Sequence, residues 1–81
     1  MTILDARGLA CPLPLTLARR RMAELRSGEV LRVLATDPEA PIDLAAWATD
    51  QGHVFRDLSD ERAEGTPAEA GWLTLELRKA R

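Results

Sequence analysis

At 81 residues, 46% hydrophobic, the chain has room for one domain, residues 1–81, around one small core. One cysteine (Cys11) and one histidine (His53) exclude an internal disulfide and give no zinc or iron–sulfur spacing, so apolar packing carries the fold, with no metal or cofactor expected. A formal net charge of −2 lacks the strong basic excess of a general nucleic-acid binder.

Met1–Asp5 shows neither a basic nor an apolar leader, and no run approaches membrane-spanning length. With a lone unpaired thiol, that predicts a cytoplasmic protein with no membrane contact. Thr2–Ala6, short and apolar, reads as a first strand. Gly8-Leu-Ala-Cys11-Pro12-Leu-Pro14 then leads into a helix whose core face is Leu15, Ala18, Met22 and Leu25, spaced i, i+3, i+7 and i+10. Arg20 falls opposite that face, with Arg19 and Arg21 on its flanks. Ser27-Gly28 is expected to end the helix, glycine lying just past the last turn. Glu29–Ala35 is β-branched and aliphatic, a second strand.

Asp37-Pro38 and Pro41 mark the entry to a second helix that reaches about Gln51, ahead of Gly52; the aspartate can cap it, and proline is tolerated in a first turn. Val54–Leu58 reads as a third strand, and Ser59–Gly71, rich in Glu, Gly and Pro, as a loop. Trp72–Leu77 alternates, with Leu73, Leu75 and Leu77 on one face and Thr74 and Glu76 on a face expected to be solvated. The order β-α-β-α-β-β predicts an α+β fold. It is a two-layer α/β sandwich with a mixed four-stranded sheet and both helices on one face.

Charge is polarised. Residues 1–32 carry six bases against three acids, and residues 33–71 carry nine acids against two bases. Such asymmetry suits a surface with distinct sides for choosing protein partners, while most of these charges read as a solvated surface. Arg19-Arg20-Arg21, starting about 12 Å along the helix from Cys11 at 1.5 Å per residue, are candidates for docking an acidic surface, and Asp37 is a further candidate partner-binding residue. Otherwise the arginines are a solvated face with their stems over the core edge. Trp47 and Trp72 read as packing residues, because no aromatic–basic cluster surrounds them. His53, at the far end of the second helix, is expected to lie away from Cys11 and to form no dyad with it.

Pro12 fits the first turn of the helix, which makes Cys11 its cap or the cap's neighbour, and Pro14 fits the same turn. The prolines stiffen the helix start, and Gly8 gives the preceding turn its freedom. A helix N-terminus favours a thiolate, so Cys11 is expected to ionise near neutrality. Asp37 and the acidic 59–71 loop, returning to the same edge, would oppose that ionisation. On the residues alone, three readings of the thiol stand: a nucleophile, an oxidant sensor, or a buried packing group.

Asp5-Ala-Arg-Gly8-Leu-Ala-Cys11-Pro12-Leu-Pro14 resembles the D-x-x-G-x-x-C-P-x-P signature of the TusA/SirA-like sulfurtransferases. The likeness continues through Gly28-Glu29 and Thr36-Asp37-Pro38 and covers the whole chain in element order. It implies that Cys11 carries sulfur as a persulfide. The donor would be a cysteine desulfurase or a rhodanese-type protein, and the acceptor would serve tRNA thiolation, molybdenum-cofactor assembly or sulfur oxidation. Because no second cysteine can resolve it, a persulfide on Cys11 has no internal disulfide to collapse into. A carrier meeting both partners through one small edge is expected to be a monomer, with no direct nucleic-acid contact.

Overall fold

Alternating apolar residues set the sheet, and the helices cover one side of it. In the computed structural model, which describes residues 2–58 and 71–80, the elements are β1 (Thr2–Ala6), α1 (Leu13–Glu24), β2 (Val30–Ala35), α2 (Ala40–Gln51), β3 (Val54–Asp57) and β4 (Leu73–Arg78). The sheet order is β1-β2-β4-β3. β1 runs parallel to β2 with Thr2 opposite Leu31 and Ala6 opposite Ala35. β4 lies antiparallel to both neighbours, setting Leu77 opposite Leu31 on one side and Phe55 on the other.

The period-2 residues Leu4, Ala6, Leu31, Val33, Ala35, Leu75 and Leu77 form one cluster with Ala18 and Met22 of α1 and Ala40, Leu44 and Ala48 of α2. This is the expected two-layer α+β sandwich. Among the described residues no helix is long and apolar enough to cross a membrane. The 59–70 part of the acidic loop lies outside the described residues.

Two expectations are corrected. α1 ends at Glu24, with Leu25 extended, and Gly28 (φ +89) serves the following turn instead of the helix. The cause is remote in sequence. Lys79 reaches across from the end of β4 and donates from Nζ to the carbonyls of Met22 and Leu25, both at 2.7 Å, satisfying acceptors that a longer helix would have used. The face of β4 expected to be solvated is also closed in part. Thr74 is fully buried, and Glu76 is half-buried against Arg32, 3.6 Å away on β2.

At the head of the sheet, Arg7 donates through Nε and Nη2 to Asp5, both at 2.8 Å, and lies 4.7 Å over the Trp72 ring. These side-chain bonds hold the Asp5 carboxyl down at about 2.

Packing at Leu44 and exposure at Ile42 give a contrast within one helix. Leu44→Ala should cost about 2–5 kcal/mol, and Ile42→Ala, at a residue 68% exposed, should stay within about 0.5 kcal/mol. Urea midpoints would read both; equal shifts would mean that the face of α2 is misassigned.

Candidate functional site

Parallel pairing of β1 with β2 sets the loops that leave their C-terminal ends side by side, and each loop starts a helix. Gly8 turns the first loop at φ +82, a conformation L side chains resist, and its N–H donates to Thr36 Oγ1 of the second loop at 2.9 Å. Asp37 joins the two more firmly. Its Oδ2 accepts the Cys11 N–H at 2.5 Å, and its Oδ1 accepts the Glu39 N–H at 2.9 Å. This carboxylate, expected as a partner-binding group and as a cap, thus braces the thiol loop against the start of α2; Glu39 is the residue that caps that helix.

Pro12, expected in the first turn, is instead the cap of α1, and the Cys11–Pro12 peptide is cis. Pro14 fills the first turn and is buried. The Pro12 carbonyl accepts both the Thr16 N–H at 3.0 Å and the Thr16 hydroxyl at 3.1 Å, closing the opening turn of the helix. Cys11 therefore stands one residue ahead of the cap.

Its sulfur is exposed, and the Sγ–H donates to Asp43 Oδ2 at 3.0 Å. Asp43 sits in the first turn of α2. That contact reverses the expected ionisation. The hydrogen bond to Asp43, then loss of hydration, then the charges of Asp43, Glu39 and Asp37 push the thiol up to about 11. A helix start offers roughly half a positive charge; full negative charges stand against it, one of them in contact. The carboxylates win.

Asp43 and Glu39 escaped the sequence reading. An acid in the first turn of a helix is ordinary dipole compensation, so Asp43 raised no signal of its own. Only the parallel pairing, which lays the two helix starts together, pointed to it. Among the described residues, Cys11, Glu39 and Asp43 also bring three possible metal-ligand atoms within 4.8 Å of one another, one soft and two hard. Leu13, two residues after Cys11, and Ile42, the chain neighbour of Asp43, are apolar residues 48% and 68% exposed.

Further along the helices, Arg19 and Arg20 line an open groove of about 540 Å³ with Thr16, Ala23, Trp47 and Gln51; Arg21 is exposed outside it. His53, after the end of α2, packs at 5.4 Å from the Trp47 ring and accepts the Ala80 N–H on Nδ1.

Residues 2–68 match the family model described as Sulfurtransferase TusA. The "Putative sulfur carrier protein YrkF" of Bacillus subtilis (strain 168) is 44% identical over 77 residues, 95% of this chain, although the chain spans only 37% of that relative. "Putative sulfur carrier protein YrkI" of the same organism is 48% identical over 59 residues, covering 73% of the chain and 79% of the relative. The "Sulfur carrier protein TusA" of Allochromatium vinosum is 42% identical over 58 residues, 72% of the chain and 76% of the relative. The crystal structure of a SirA-like protein from Desulfitobacterium hafniense superposes over the whole of both chains with a TM-score of 0.81 at 24% identity, which supports the fold.

Iodoacetamide alkylation of Cys11 should rise with pH as the thiolate forms, with a midpoint near 11, and Asp43→Asn should move that midpoint down. A wild-type midpoint at or below about 8.5, the value of a free cysteine, would mean that the helix start outweighs the carboxylates.

Proposed function

The chain belongs to the TusA family of sulfur-carrier sulfurtransferases, and on that premise we propose that Cys11 receives sulfur as a persulfide from a donor protein and hands it to an acceptor protein. The observation that carries this reading is the exposed lone thiol within the Cys-Pro-x-Pro sequence, braced between two helix starts. In the loading step Cys11 Sγ, having shed its proton, attacks the outer sulfur of the donor persulfide. A new S–S bond forms to Sγ, the donor's own S–S bond breaks, and the donor's inner sulfur leaves as a thiolate that takes up a proton. Unloading repeats the exchange with Cys11 as the leaving group, and neither step consumes an oxidant or a reductant.

The donor is a cysteine desulfurase or a rhodanese-type protein. The acceptor belongs to tRNA thiolation, molybdenum-cofactor assembly or sulfur oxidation. Gly8, Pro12 and Pro14 hold the loop, and Asp37 holds the Cys11 backbone. Arg19 and Arg20, beside Trp47, suit a partner's acidic segment laid along the groove.

Oxidant sensing is the weaker alternative. Both readings need the Cys11 thiolate, and the match to the TusA family is what favours the carrier. A buried packing group is excluded by the exposure of Cys11.

Incubation with a desulfurase and cysteine, or with thiosulfate and a rhodanese, followed by intact mass measurement, tests the carrier role. The wild type should gain the mass of one sulfur atom, release it to a thiol acceptor, and lose the gain entirely in Cys11→Ser. No gain from either donor, or modification by peroxide alone, would overturn it. Arg19→Glu with Arg20→Glu should slow loading by a protein donor several-fold at low salt and much less at high ionic strength; an unchanged rate would remove the groove from the docking surface.

A further inference from the structure

We propose that Asp43 is a latch that holds the unloaded Cys11 Sγ in a hydrogen bond, and that the sulfur donor opens it by setting a lysine or arginine side chain against the carboxylates of Asp37, Glu39 and Asp43. This rests on the carrier reading and adds the chemistry of the partner. Removing the proton from Sγ with Asp43 Oδ2 at 3.0 Å leaves two anionic atoms in contact, an arrangement that needs a neighbouring cation. Among the described residues, the ionisable groups acting on the thiol are acidic and come from the second loop and helix: Asp37 from the loop, Glu39 at the cap, Asp43 in the first turn of α2.

Among the described residues, no base is among the charges acting on the thiol. Arg7 is engaged by Asp5 and Trp72, and Arg19 and Arg20 line the groove beyond Thr16. Exposed apolar residues supply the second half of the argument. Leu13 at the start of α1 and Ile42 in the first turn of α2 are exposed and offer apolar contact area at these helix starts. A partner that covers them excludes water, and in that drier setting its cation pairs more strongly with Asp43.

Loading also resets the latch. Once Sγ is bonded to the outer sulfur it has no proton to give Asp43, so the Sγ–Asp43 hydrogen bond is lost.

Two short peptide persulfides test this, one with arginines and one with glutamates on either side of the persulfidated cysteine. Their rates of loading the full chain are read by intact mass at low salt. The arginine-flanked donor should load the wild type about ten-fold faster or more, with most of that preference gone in 1 M salt, where exposed charges are screened over about 3 Å. Asp43→Asn should speed loading from the glutamate-flanked donor and shrink the preference; Glu39→Gln, an exposed substitution, should shrink it less. Equal rates from the two peptides on the wild type, or a preference untouched by Asp43→Asn, would overturn the inference and leave the carrier reading standing. If neither peptide nor the protein donors load Cys11, both fall together.

Discussion

The parallel register of β1 and β2 is the constraint from which the site follows. With Ala6 opposite Ala35, the two strands release their chains at the same edge, and two helices begin within reach of one another. Among the described residues, the bonds that hold Cys11 and its loop come from this meeting: the Asp37 brace, the Thr36 bond to the Gly8 turn, and the Asp43 carboxylate on the sulfur. Strand–helix–strand units bring functional residues to such edges as a rule. Here the second unit brings negative charge to the first unit's thiol.

Much of this was legible in advance because it is local. The Leu73, Leu75 and Leu77 alternation identified β4, and the period of Leu15, Ala18 and Met22 found the buried face of α1. Glycine and proline placement set the thiol at the start of a helix, and the structure shows that it is exposed. What escaped depends on pairs distant in the chain. Glycine at position 28 pointed to a helix end that Lys79, 57 and 54 residues beyond the carbonyls it binds, moves back to Glu24. Asp43, 32 residues from Cys11, reversed the ionisation that the helix start alone would favour. Local physics gives a helix dipole its sign; only the tertiary arrangement says which charges compete with it.

The surface around the helices is consequently divided. Beside the sulfur it is acidic, with Leu13 and Ile42 exposed at the helix starts; along the helix bodies it turns basic at Arg19 and Arg20, which share a groove with Trp47. A partner that covers both regions must match opposite charges in a fixed order. Such a pattern sets the orientation of docking more than its strength.

The lysine at the end of β4 has a mechanical consequence. By gripping the last turn of α1 it ties the rear of that helix to the central sheet, while Pro14 and the Asp37 brace fix its front. A rod pinned at both ends cannot tilt to meet a visitor. When a bulky protein approaches the sulfur, the adjustment must come from the visitor's own loop, and reach, not recoil, governs which cysteines can touch this one.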